Sequence, residues 1–297
     1  MKKNRIMRVF SVLLALTLIS TCAISGTFAK YVTKAEGEDA ARVAKWGIVL
    51  GVNAGDVFAK EYETSDKDGY VGMSVKADEK VVAPGTNSKE VGEDGLKATV
   101  FGTPEVATRY TLEIKDMTDI VLPKGEGYVD YTNLAVTEED GKKTYGYTDT
   151  FDLDQDYAPV KWDLIVSNSN GKTISLVEKA KEYNIDVDGF SFTDAASIIN
   201  NKQIMGKLLP ELEGMADGAS NAKAVVEDGV IKVSMDFAPG TEMDYTFELV
   251  WTWAFDGNDQ ADTYLGNLAA GIDGIVVPEG ASTNLSASVV ATATQID

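Results

Sequence analysis

Between Tyr245 and Phe255 the chain reads YTFELVWTWAF. Tyr245, Phe247, Leu249, Trp251, Trp253 and Phe255 take every second position, with Thr246, Glu248, Val250, Thr252 and Ala254 between them. Successive strand side chains point to opposite faces, so this period of two predicts a β-strand with one large, mostly aromatic face turned to a core. A helix would scatter the same rings around its circumference. A strand so apolar on one side needs a second layer to cover it, which commits the chain to packed β-layers. Asp256-Gly257 breaks the strand, and Asn258-Asp259, with Asp262 close behind, reads as the capped first turn of a short helix.

The same alternation recurs along the chain. Arg42–Val52 places Ala44, Trp46, Ile48, Leu50 and Val52 on one face, and Val106–Asp116 does so with Val106, Thr108, Tyr110, Leu112 and Ile114. Lys97–Gly102 and Val160–Asn168 are further strands, and Ile120–Leu122 and Asn133–Thr137 are shorter ones. Lys142–Thr148 folds back at Asp140-Gly141, and Ala222–Val226 pairs with Val230–Phe237 across Asp228-Gly229. Two Ala-Pro-Gly-Thr stretches, from Ala83 and from Ala238, suit type II turns: proline presets φ and glycine takes the positive φ. The centre turns helical over Ser175–Tyr183, with Ser175 as cap and Glu178 at capping-box spacing, and over Thr193–Leu209. Ser282–Thr294 reads as the last strand. The expected fold is mainly β, a jelly-roll-like antiparallel β-sandwich of about ten strands with a helical insertion at about 175–214.

Residues 1–29 have the build of a secretory signal: Lys2 to Arg8 are basic, Val9 to Ile24 carry no charge, and Thr27-Phe28-Ala29 ends small. Cleavage is expected between Ala29 and Lys30, with an uncleaved anchor as the rival. Lys30–Ala41 is polar and reads as a flexible arm, and residues 42–297 as the sandwich domain. Cys22, the only cysteine, leaves with the signal, so the secreted chain is held by its core and no disulfide.

The full chain has 27 Lys plus Arg against 47 Asp plus Glu. Loss of the signal, with four cations and no acid, leaves 23 against 47. Such a surface repels phosphate backbones, so nucleic acid is not an expected partner. Histidine is absent, which removes Ser-His-Asp and Cys-His nucleophile systems and the zinc-binding HExxH helix. No phosphate-cradling glycine motif is present, and no enzyme is expected. No cofactor is expected other than calcium, a hard cation served by carboxylate oxygens. Its candidate ligands are Asp152, Asp154 and Asp156, followed by Asp163, and a second group of Asp256, Asn258, Asp259 and Asp262. In the first, Tyr157 stands where an EF-hand loop has glycine; in the second, helix capping accounts for the same residues. Trp46, Trp162, Trp251 and Trp253 would stack on sugars only if exposed, and their alternation assigns them to the core.

The stretch GTFAKYVTKAEGEDAARVAKWGI resembles the start of the TasA/camelysin-like secreted proteins. TWAFDGNDQADTYLGN is similar to a segment of surface proteins with such signals. The resemblance implies processing by a dedicated signal peptidase, an extracellular jelly-roll-like domain and a subunit of biofilm matrix fibres, with self-association and other matrix proteins as partners. It further implies that the freed arm, Lys30–Ala41, completes the sheet of the next subunit, with Tyr31, Val32 and Thr33 as the donor-strand candidates. Two other readings are a monomeric surface module binding glycans or host proteins, and a camelysin-type metalloendopeptidase, the latter disfavoured by the missing histidine.

Overall fold

A computed structural model describes residues 32–36, 40–43, 47–54, 57–63, 74–88, 96–185, 189–190, 192–255 and 257–296. Half of the chain is strand and 17% helix, so the fold is mainly β, as the alternation predicts. Two antiparallel sheets form its sandwich-like body. The five-stranded sheet has the order β1 (Val32–Glu36), β17 (Ser286–Gln295), β7 (Thr108–Thr118), β15 (Val230–Phe237), β14 (Ala219–Glu227). The six-stranded sheet runs β13 (Thr173–Ser175), β12 (Val160–Ser167), β16 (Met243–Trp253), β6 (Leu96–Gly102), β3 (Ile48–Ala54), β2 (Ala40–Val43). Three ribbons stand apart: β4 (Ala59–Glu63) with β5 (Ser74–Val81), β8 (Gly125–Val129) with β11 (Thr150–Leu153), and β9 (Ala135–Glu139) with β10 (Lys142–Gly146).

The aromatic face of β16 is the inner face of the six-stranded sheet. Tyr245, Phe247, Leu249, Trp251 and Trp253 are all buried. Phe247 stacks on Tyr110 of β7, ring centroids 5.3 Å apart, and Tyr245 meets Phe237 of β15 edge-on at 5.6 Å. These contacts cross the gap between the sheets, so aromatic packing sets their alignment. Trp251 donates its indole N–H to the Val57 carbonyl at 2.8 Å and packs against Phe58 and Tyr62, which holds the β4–β5 ribbon to the sandwich.

Local chemistry explains the turns. In both Ala-Pro-Gly-Thr stretches the glycine has φ near +80° and the threonine N–H donates to the alanine carbonyl at 3.1 Å. The first turn then pairs with the end of β16 through Gly85 N to Trp253 O and Trp253 N to Thr86 O. Asp140-Gly141 and Asp228-Gly229 both have positive φ at each residue, as tight hairpins require.

Several expectations change. The strand expected from Arg42 to Val52 is two strands, β2 and β3, paired antiparallel from Val43↔Ile48 outward. Gly47 makes the break, at φ 62°, where a Cβ would stand 2.9 Å from the Thr103 carbonyl oxygen; Ala44 and Trp46 lie outside the described residues. Phe255 is beyond the end of β16 and 62% exposed, so its place in the alternation does not make it core. The helix expected over Thr193–Leu209 is two. With α1 at Leu176–Glu182, they are α2 (Phe192–Asn200) and α3 (Lys202–Glu213), separated by Asn201, whose side chain accepts from the N–H groups of Gln203 and Ile204. Competition of that amide with the helical backbone starts a new helix there. Ile120–Leu122 forms only isolated bridges, Val121 to Ser282 and Leu122 to Tyr157. Ser175 does cap α1, its hydroxyl accepting from Glu178 N at 3.0 Å.

Trp251→Ala should lower stability by about 3–5 kcal/mol, because it opens a large cavity and leaves the Val57 carbonyl unpaired. Urea titration of the wild type and variant should show a lower midpoint at similar slope.

Candidate functional site

The two sheets end on the same stretch of chain. β1 lies along β17 in antiparallel register, from Val32↔Thr294 to Glu36↔Val290. Four residues later β2 lies along β3, from Ala40↔Gly51 to Val43↔Ile48. One short N-terminal segment therefore covers an edge strand of each sheet. The arm expected to be flexible is, over Val32–Glu36, a paired strand. Thr33 sits opposite Ala293; Ala29, Lys30 and Tyr31 lie outside the described residues.

The receiving strand is held firmly. β17 pairs with β7 from Ser286↔Thr118 to Gln295↔Thr108, and Ile296 N donates to the Ala107 carbonyl at 2.9 Å. Ala291 and Ala293 are buried opposite Leu112 and Tyr110. Across the sheet from Val32 the row runs through Thr294 and Arg109 to Asp236. Arg109 grips Asp236 with two charge-assisted bonds, Nε to Oδ1 at 2.6 Å and Nη2 to Oδ2 at 2.8 Å. Asn221 adds a third donor at 3.1 Å from the irregular part of β14. The Arg109 guanidinium holds the Asp236 carboxyl below the usual carboxylate range against the opposing effect of burial. Chain alternation marks Arg109 as outward-facing, but nothing in the sequence links it to an acid 127 residues away.

The carboxylates singled out for calcium are distributed differently. Asp152 accepts from Gly127 N at 2.7 Å and Asp156 from Lys124 N at 2.8 Å, each tying β11 or its following loop to the β8 side. Asp154 is exposed between them. Asp163 is far from this group in role: on β12 it accepts from the Ser175 hydroxyl and from Val177 N, and burial pushes its pKa up. The second group opens helix α4 (Asp259–Ala269). Asn258 is the N-cap, yet its side chain makes no capping bond, contrary to expectation. Asp259 is exposed, whereas Asp262 accepts from the Tyr157 hydroxyl at 2.7 Å and the Trp253 indole at 3.2 Å. Asp256 lies outside the described residues. Among the described residues, no three acidic, histidine or cysteine groups converge on a common point.

One carboxylate that the sequence does not mark is more organised than any of these. Asp130 is buried and accepts from Thr132 N, the Thr132 hydroxyl, Asn133 Nδ2 and Gln260 Nε2. These donors, the Thr132 hydroxyl first, lower its pKa. Its work is to tie the root of the β9–β10 ribbon to α4. Trp162, Trp251 and Trp253 are buried, so their ring faces do not meet solvent. No helix of the described residues is long and apolar enough to cross a membrane.

No protein-family model, curated protein or solved structure matches the chain. The class that the fold defines is a mainly-β, antiparallel sandwich-like protein.

Because the Asp236 pKa is lowered in the folded state, its contribution is present above the unfolded carboxyl pKa and is lost as pH falls through the folded value. Asp236→Asn should therefore cost about 1 kcal/mol near neutral pH, discounted for the half-exposed arginine, and the difference should shrink on acidification below about pH 4. Denaturation curves from pH 7 to pH 2 measure it.

Proposed function

We propose that the protein is a secreted structural subunit that self-associates into polymers, with the Lys30–Ala41 segment of one copy completing the sheets of the next. The observation that carries this reading is the backbone ladder between β1 and β17. A strand at the sheet edge, close to the end expected to be freed by cleavage, is held by main-chain bonds that a neighbour's identical segment can make equally well. Exchange costs little in contacts, because the intramolecular and intermolecular ladders have the same register. Departure of the segment would expose the edges of β17 and β3 together, and open strand edges of this kind recruit another strand.

Two sequence properties support a passive extracellular role. The acidic surface, at a formal charge of −20 for the whole chain, favours solubility of the free subunit. The lack of histidine removes the commonest acid–base and zinc chemistry. The similarity of residues 20–50 to the TasA/camelysin-like proteins points the same way, toward a biofilm matrix fibre and release by a dedicated signal peptidase.

A single cysteine pair tests the exchange. Lys34 faces Thr292 in the ladder, and a chain beginning at Lys30 has no other thiol. Lys34→Cys with Thr292→Cys, oxidised under assembling conditions, should give disulfide-linked ladders on a denaturing gel and polymers by electron microscopy. Only intrachain disulfides in assembled material would sink the proposal, as would polymers that persist after deletion of Lys30–Ala41.

A further inference from the structure

The β9–β10 ribbon is exposed from Val136 to Tyr145, and among the described residues each of its strands pairs only with the other. An isolated two-stranded ribbon is marginal in water. Here its root is fixed: Asp130 gathers four donors, and Tyr131 packs against Tyr147 and Tyr264, with ring centroids 5.1 and 5.7 Å apart. The ribbon presents unusual apolar area. Val136 and Tyr145 face each other across the ladder at 51% and 62% exposure, with Leu134 and Tyr147, also exposed, flanking them. A rigidly rooted ribbon with an open strand edge and a bare aromatic is built for contact.

We propose that the outer edge of β10 pairs antiparallel with β10 of a second copy about a two-fold axis at Thr144, giving a four-stranded sheet β9-β10-β10-β9. The inference deepens the self-association reading: arm exchange makes chains of subunits, and the ribbon joins chains side by side. The register of β10 carries the argument. About Thr144, Lys143 falls opposite the partner copy's Tyr145, and Lys142 opposite its Gly146. No like charges are opposed, and each Lys143 meets an aromatic ring, a favourable cation–π arrangement. Within each copy Lys143 already faces Glu138 and Lys142 faces Glu139. Every row of the joined sheet therefore balances its charge, and the exposed Tyr145 gains a neighbour on its open side. Pairing through β9 instead would set Glu138 against Val136, which desolvates a carboxylate beside an alkyl group. Antiparallel joining also directs the two ribbon roots to opposite ends of the new sheet.

The chain from Lys30 carrying Thr144→Cys alone should form disulfide-linked dimers on mild oxidation, whereas Thr137→Cys, on the β9 edge, should stay monomeric. Adding Tyr145→Lys to Thr144→Cys sets like charges opposite each other twice and should cut the dimer yield about tenfold. Adding Lys143→Tyr as well should restore it. Linking through Thr137→Cys as readily as through Thr144→Cys, linking through neither, or a yield indifferent to Tyr145→Lys would overturn the proposal. The Lys34–Thr292 disulfide reads arm exchange separately: trans links there without Thr144 dimers leave the arm reading standing and remove this one, and the converse removes the other.

Discussion

The contact on which the rest of the structure depends is the aromatic seam between β16 and the facing sheet. Phe247 on Tyr110 and Tyr245 on Phe237 join the central strands of the two layers. Without that seam neither sheet has a partner for its apolar face, and a half-buried sheet alone is not stable in water. β16 also reaches outward at its end. Trp251 holds the β4–β5 ribbon through Val57, and Trp253 reaches Asp262 of α4. One strand thus aligns the layers, pins a ribbon and positions a helix.

Edges are the remaining difficulty for such a sandwich, and the chain treats them unequally. β14 is interrupted between Ser220 and Lys223 and lies against α2 and α3, which discourages further pairing. β13 is only three residues long. The opposite edges, β17 and β3, are closed by the N-terminal segment. Among the described residues, no further strand pairs with either side of the β9–β10 ribbon. Helices pack against the β14 edge, and the N-terminal segment lies along β17 and β3.

Much of this was legible from local pattern. The burial of Tyr245 through Trp253, of Thr108 through Ile114 and of the inner face of β12 follows from period-two alternation. The Asp-Gly hairpins and the Ala-Pro-Gly-Thr turns follow from which residues tolerate positive φ. Local pattern misled where an element ends. Phe255 keeps the alternation but lies past the last ladder pair, Trp253 with Val160. Asn201 looks like one polar residue in a helical stretch until its side chain is seen to cap a new helix. Composition shows carboxylates without showing their donors: Asp152, Asp156 and Asp262 each accept from protein N–H or O–H groups.

Sequence alone determined that this chain is a layered β-protein, and it determined the inner face of the strongly alternating strands such as β7, β12 and β16, because side-chain alternation is a property of the strand itself. Only the tertiary structure decided which strands are neighbours. β17 lies beside β7, and Arg109 meets Asp236, across separations over which no local signal reaches. It also decided that the N-terminal segment closes two edges and that the β9–β10 ribbon closes none. An edge exists only once a sheet has been assembled, since it is defined by the strand that is missing beside it.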